Sequence, residues 1–510
     1  MIRDWISECT SKHSKCCSSP SRFGSPPQTE TQKPHLGGVP RRLIDVGKPD
    51  GSSTPRLVIS NDLPTASICY ATLSHCWGST KMPLRTTKDN LETHLQGFDE
   101  LLLPKTFRDA ITISRKLGIQ FLWIDSLCII QDDPADWQQE AAQMASIYQN
   151  AHLTLAAASA RNSHEGCRLE PLEPTFPVIF TSSPGTPKKA FIRYPYPRPS
   201  FATDRIEEFP LSGRGWILQE MILSRRIVYF AEDQMYWQCN TLCASEDGTL
   251  DFEVSDHQRS EEQPSEHGRS LGHLKVLGLA TPQEQFDTWW RWVGEFSTRK
   301  LTCISDRLPA LAGLIRFYQQ NTGDEPIVGL WRTNIMGHLL WMLGDDGRSE
   351  RRAISGLPSW SWMSIDAVPI CRFIPHGDGM LGRELFSPTL VNSNITWSGE
   401  PLTSPLLCAE LVIKGRVLPG AECLQDRALN EDSLGASHYF HVEYDRDDDI
   451  PVTGLVFLYM VTVEVVSFLL ALVPVDETPG AHYRRVGMVT YYEGVELRIW
   501  KVEERTLTLV

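Results

Sequence analysis

The chain has 510 residues, and at roughly 150 residues per domain that length predicts two or three structural units. Apolar residues make up 41% and charged ones 22%, with 15 Trp, 19 Phe and 13 Tyr, which excludes a low-hydrophobicity disordered polymer. The net charge of −14 argues against nucleic acid or an anionic lipid surface as partner. Thirteen cysteines spread over this length read as reduced thiols of a cytoplasmic or nuclear protein.

Met1–Cys17 has no apolar run of the secretory type, so no signal peptide is expected. Within it Cys9, His13, Cys16 and Cys17 have ligand-like spacing, but no second ligand pair follows nearby, so no metal site is expected. Residues 18–66 are rich in Ser, Pro, Gly and Thr and read as a mobile lead-in with one anchoring strand at Leu43–Val46. Residues 1–66 are thus expected to be a partly disordered N-terminal segment.

Residues 67–244 carry the sharpest pattern. Tyr70–Ser74 reads as a short strand ending at His75-Cys76-Trp77-Gly78. Pro104 opens a helix with Phe107, Ala110, Ile111, Ser114 and Leu117 at helical spacing and Gly118 as its stop. Phe121–Ile124 is an unbroken apolar run, as expected of a parallel strand covered on both faces, and it ends in Asp125-Ser126-Leu127-Cys128. Asp133 is a plausible N-cap with Pro134 at the first helical position, and Trp137, Ala141, Met144, Tyr148 and Ala151 then share one face, with Glu140 at its edge. His152–Ala158 is a third strand ending at Ser159-Ala160-Arg161. This order of strands and helices predicts an α/β domain with an open, mostly parallel sheet.

In such sheets ligands bind at the carboxyl ends of the strands. Those ends carry His75, Trp77, Gly78, Asp125, Ser126 and Arg161, which either converge on a ligand or satisfy orphan backbone groups at element ends. A second segment, Arg214 to Ser224, places Trp216 and Glu220 four apart with Gln219 beside them. A Glu held against Trp and Leu in a partly dry crevice has a raised pKa and suits general acid–base work or stabilisation of an oxocarbenium-like centre. Equally, Arg214 and Glu220 read as a structural ion pair at a helix end. His75, Cys76, Asp125 and Cys128 offer a weaker Cys–His hydrolase alternative, since no Cys stands in a recognisable nucleophile motif. Walker and HExxH motifs are missing from the sequence.

Further along, residues 245–285 form a polar linker or insertion, 286–365 a helical, tryptophan-rich bridge and 366–510 a β-rich domain. The tryptophans Trp289, Trp290, Trp292, Trp331 and Trp341 recur within apolar stretches and are read as core. Leu455–Val473 has the length of a membrane span, but Glu464 sits at its centre and the segment reads better as two buried strands.

Taken together, Tyr70–Gly78, Leu103-Pro104 with Phe107–Ala110, Trp123–Asp133, Asp136-Trp137, Glu140, Met144, Tyr148 and Arg214-Gly215-Trp216 with Leu218–Glu220 and Leu223-Ser224 resemble the fungal heterokaryon incompatibility (HET) domain, over roughly Cys69–Ser224. The flanks, with Trp5, Cys9, His13 and Cys16 and with Arg41–Val46, are similar to the lead-in of long HET proteins. The resemblance implies a stand-alone protein of fungal non-self recognition whose activation triggers programmed cell death in the cytoplasm. It also implies a likeness to TIR domains, whose Trp-x-x-x-Glu helix cleaves the nicotinamide–ribose bond of NAD. Glu220 is then the catalytic candidate, Trp216 packs against the ring, and His75, Ser126 and Arg161 orient phosphates or ribose. NAD is a substrate on this reading, with no further cofactor. The alternative is a non-enzymatic signalling module that acts by self-association or protein contacts.

Overall fold

The computed structural model describes residues 1–17, 39–64, 68–78, 84–167, 176–182, 186–192, 209–248, 251–253, 281–344, 352–370, 386–420, 440–446, 454–463, 466–475, 482–492 and 502–510. These fall into two compact units, Met1–Val276 and Leu277–Val510. Most of the polar stretch 245–285, together with Glu464 and the Cys17 side chain, lies outside the described residues.

The first unit holds β1 (Arg42–Asp45), β2 (Arg56–Ile59), β3 (Tyr70–Ser74), β4 (Phe121–Trp123), β5 (Leu153–Ala156), a separate hairpin of β6 (Phe176–Ser182) and β7 (Thr186–Ile192), then β8 (Arg226–Phe230), β9 (Met235–Cys239), β10 (Leu242–Ser245) and β11 (Asp251–Glu253). Its helices are α1 (Ile2–Lys12), α2 (Ser14–Cys17), α3 (Leu91–Gln96), α4 (Lys105–Leu117), α5 (Asp125–Cys128), α6 (Pro134–Asn150) and α7 (Ile217–Leu223). Nine strands form one sheet in the order β11-β10-β9-β8-β5-β3-β4-β1-β2. The expected parallel strands make its centre: β4 and β5 both run parallel to β3, and β8 runs parallel to β5. Antiparallel strands extend this centre on both sides, β1 and β2 beyond β4 and β9 to β11 beyond β8. The strands β3, β5 and β8 are buried throughout, as their apolar runs require.

The lead-in departs from expectation. It supplies two strands instead of one, because the short run Arg56–Ile59 pairs with Arg42–Asp45 residue for residue. Sequence patterning undervalues such four-residue runs when Ser and Pro surround them.

Local signals explain the helices. Gly118 closes α4 at φ +79°, a left-handed conformation that costs a side chain dear. The Asp133 carboxylate accepts from the backbone N–H groups of Ala135 (3.1 Å) and Asp136 (3.4 Å), and Pro134 occupies the first turn of α6. Asp133→Ala is therefore expected to lower stability through the loss of this cap, seen as a lower urea midpoint of the helical circular-dichroism signal. The buried face of α6 differs from the periodic reading in one respect. Glu140, expected at the edge, is fully buried, and Asp136 joins it inside. The reason lies far away in sequence: Arg42 of β1 donates to Asp136 and to the Cys128 carbonyl (2.6 Å) and stands 3.7 Å from Glu140.

The second unit begins with α8 (Pro282–Thr298), capped by Thr281 and Glu284 reciprocally, and α9 (Pro309–Thr322). Trp289, Trp292, Tyr318 and Trp331 pack against one another with ring centroids 4.2–6.4 Å apart. The tryptophans are core, as read from the sequence: Trp289, Trp292, Trp331, Trp341, Trp360 and Trp362 are all buried. A seven-stranded sheet follows, with β12 (Thr389–Trp397), β13 (Leu406–Pro419), β14 (Phe440–Tyr444), β15 (Val456–Val463), β16 (Val466–Pro474), β17 (His482–Tyr492) and β18 (Glu504–Leu509). Strand β18 pairs with both β13 and β17, so β13, β15, β16, β17 and β18 close into a ring without free edges. The apolar stretch Leu455–Val473 is the hairpin β15–β16 at the centre of this sheet. Among the described residues no helix is long and apolar enough to cross a membrane.

Candidate functional site

In chain order the four parallel strands are arranged second, first, third, fourth. The chain reverses its direction of travel across the sheet at β3, and the carboxyl ends of β3 and β5 flank the point where ligands enter such sheets. At the end of β3, Gly78 has φ +93°, and a Cβ there would meet the Asn162 Cβ at 2.8 Å. Only glycine lets the loop after β3 lie this close to the loop after β5.

Several predicted residues meet here. Trp77 donates its indole N–H to Asp125 Oδ2 at 2.9 Å, and His75 Nδ1 stands 3.9 Å from Asp125 Oδ1. Arg214 donates to the His75 carbonyl and lies over the Trp77 ring, 5.9 Å from its centroid. Among the described residues it thus ties the ends of β3 to the segment before α7 and makes no ion pair with Glu220, the structural alternative read from the sequence. His75 is 2% exposed and packs edge-on against Phe107 at 5.1 Å. Burial lowers its pKa to about 4, against the pull of Asp125, so the ring is neutral at neutral pH.

Glu220 sits one layer deeper. It is 4% exposed, and its Oε2 accepts from the Tyr148 hydroxyl at 2.8 Å. Burial raises its pKa to about 7, with the Ser74 hydroxyl, Arg214 and Tyr148 pulling the other way and Asp125 adding to the rise. Helix α7 is held along α6 by three of its own contacts. Trp216 meets Trp137 edge-on at 6.2 Å, Gln219 Nε2 reaches Met144 Sδ at 3.8 Å, and Glu220 takes Tyr148. A hydroxyl chain fixes its far end: Ser224 Oγ donates to the Glu220 carbonyl (2.6 Å) and meets Thr154 (2.7 Å), which meets Thr72 of β3 (2.8 Å). The carboxyl of Glu220 is therefore positioned by two helices and two strands.

Other predicted residues stand apart. Ser126 is buried with its backbone N–H on Asp125 Oδ1 at 2.7 Å. Arg161 is exposed, and its backbone N–H donates to Glu165 at 2.9 Å. The Cys–His alternative fails on chemistry, because burial pushes the Cys128 thiol up to about 12 and raises Cys76 as well, leaving neither as a thiolate. Sequence reasoning missed Tyr148 as the partner of Glu220. Tyr148 was placed on the core face, and its need for a hydroxyl partner there was the available signal.

The sequence model of the family described as heterokaryon incompatibility protein (HET) matches residues 70–220. The chain carries a HET domain. The matched span opens on the first residue of β3 and closes on Glu220, so it encloses the parallel strands β3, β4 and β5 together with His75, Asp125, Tyr148, Arg214 and Glu220. No curated protein and no solved structure matches the chain. Outside the HET domain, β8 completes the parallel centre and β9 to β11 extend the sheet. Among the described residues of this unit, Cys9, His13, Cys16 and Cys239 also gather, with their potential metal-ligand atoms within 4.8 Å of one another.

Proposed function

We propose that the chain is a fungal heterokaryon incompatibility protein of the cytoplasm that triggers cell death after non-self recognition, and that its HET domain acts by hydrolysing NAD. The observation that carries the catalytic part is Glu220, a carboxyl held by Tyr148 beside the end of β3 with a pKa raised to about 7. The parallel strand order second-first-third-fourth is that of flavodoxin-like sheets, which supports the likeness to TIR domains at the level of fold.

In this reading the nicotinamide–ribose C–N bond breaks and its electron pair leaves with nicotinamide. The ionised Glu220 steadies the oxocarbenium ion left on the ribose, and water adds to it with loss of a proton. Trp216 packs against a ring of the substrate, while His75, Trp77, Gly78, Asp125, Ser126, Arg214 and Gln219 line or support the crevice. Arg161, the exposed cation at the end of β5, contacts the pyrophosphate. Glu220 is nearly enclosed, so the crevice opens around it on binding.

The same enclosure favours a second reading. His75, Ser126, Gln219 and Glu220 are all buried, which suits internal ties in a module that signals by self-association or protein contacts. Nicotinamide release by the full chain, with cell killing and light scattering followed in parallel, separates the two. Hydrolysis predicts that Glu220→Gln lowers NAD cleavage at least a hundredfold, a typical loss for a group acting on the transition state, and abolishes killing. Killing that tracks oligomer size and survives the substitution would establish the binding module instead.

A further inference from the structure

Helix α1 has little reason to dock. It spans 11 residues, too short to be stable alone, and Cys9 is its only buried residue. Trp5 stacks on Trp237 of β9 with centroids 5.9 Å apart, Arg3 donates to the Lys116 carbonyl, and the buried contact is made by the Cys9 sulfur. Cys9 ends the apolar side of α1, His13 follows at its C-cap, Cys16 lies in α2, and Cys239 stands at the end of β9, 226 residues along the chain from His13. Their ligand atoms all lie within 4.8 Å of one another. The spacing of Cys9, His13, Cys16 and Cys17 suggests ligands without a second pair nearby; the fold brings a closing partner from the end of β9.

We infer that Cys9, His13, Cys16 and Cys239 form a structural zinc site that pins the N-terminal helices to the sheet. Zinc is bound tetrahedrally by Cys sulfur at ~2.3 Å and His nitrogen at ~2.1 Å, which sets ligand atoms roughly 3.5–3.8 Å apart. The cluster needs only a small contraction to reach that geometry. His13 Nδ1 is already 3.4 Å from Cys239 Sγ.

The sulfurs are faced by hydrogen-bond donors. Cys239 Sγ is faced by the backbone N–H groups of Thr241 (3.5 Å) and Leu242 (3.2 Å), and Arg226 directs its Nε at Cys9 Sγ (3.1 Å) while Nη2 donates to the Cys16 carbonyl (3.1 Å). A neutral thiol is a weak acceptor and does not call for three donors in a buried place. Charge also closes. Three thiolates, a divalent cation and the Arg226 guanidinium sum to zero, so the assembly can be buried without a stranded charge. Binding to the reduced protein releases the three thiol protons and leaves the sulfurs' oxidation state unchanged. The three-sulfur, one-imidazole set selects zinc over hard cations such as magnesium or calcium.

The test uses the full chain, produced without a histidine tag and purified without chelator. Elemental analysis is expected to find one zinc per chain. Replacing zinc by cobalt(II) in the wild-type chain is expected to give the intense visible bands of a tetrahedral thiolate site, a readout that does not depend on any variant folding. Cys239→Ser and Cys16→Ser are expected to lose the metal, whereas Cys243→Ser, buried on the neighbouring strand and outside the set, is expected to retain it. Chelation is expected to lower the unfolding midpoint by roughly 10 °C. A wild-type chain that takes up neither zinc nor cobalt would overturn the assignment. So would a Cys9–Cys16 disulfide found by mass mapping of protein isolated from reducing cytosol, or full metal content in Cys239→Ser.

Discussion

Replacing Arg42 by methionine is expected to destabilise the first unit by about 3–5 kcal/mol, the range for removing one partner of a buried ion pair. Arg42 is the cation that faces two carboxyls of α6 from β1. Asp136 has other partners, Arg41 at 3.1 Å and the Ile130 backbone N–H at 2.8 Å. Glu140 does not: neither of its oxygens has a hydrogen-bond partner among the described residues, and Arg42 at 3.7 Å is what offsets its burial. Burial already raises Glu140 to about 7, with Arg42 the main influence holding it down. Without the guanidinium the carboxyl must either stay charged in an apolar place or take up a proton. The double variant Arg42→Met with Glu140→Gln is therefore expected to recover much of the loss, because it removes the uncompensated charge along with its partner. Urea midpoints of the single and double variants check this. An unchanged midpoint for Arg42→Met would mean that the network does not hold β1 to α6.

Glu220→Gln is expected to stabilise the protein above pH 7 and to leave it unchanged near pH 4. The carboxyl titrates at about 7 when folded and near 4.5 when unfolded. Between those values the unfolded chain has already lost the proton that the folded chain still holds, so stability falls as pH rises through this window. The full span corresponds to about 3 kcal/mol, and a glutamine, which can still accept from Tyr148, is spared that loss. His75 acts in the opposite sense. Its folded pKa of about 4 lies below 6.5, so its contribution is present above pH 6.5 and is lost as pH falls toward 4. Comparing the variant with the wild type cancels the histidine contribution and isolates Glu220. Unfolding free energies at pH 5 and pH 8 check it, and a difference between the two proteins that does not change with pH would contradict the raised pKa.

What the sequence made legible was local. Asp133 and Pro134 announce the start of α6, Gly118 the end of α4, and the unbroken runs Tyr70–Ser74 and Phe121–Ile124 the buried parallel strands, because capping groups and side-chain period act within a few residues. Period tells which face of a helix is buried but not what meets it. Helical period sets Glu140 at an edge, whereas it is buried because its cation comes from β1. Tyr148 was read as core without its bond to Glu220, which crosses 72 residues. Arg214 reads equally as a partner of Glu220 at a helix end, whereas it reaches 139 residues back to the His75 carbonyl. The closing cysteine of the sulfur cluster, Cys239, is not legible for the same reason, since the end of a strand carries no mark of what it faces.

The pH dependence of NAD cleavage bears most directly on the role of Glu220. If its carboxylate steadies the ribosyl cation, nicotinamide release by the full chain rises with pH through an apparent pKa near 7 and then levels off, and Glu220→Gln shows no such rise at any pH. Release that is equal in the wild type and in Glu220→Gln across the range, or no release at any pH from a chain that still kills, would contradict it.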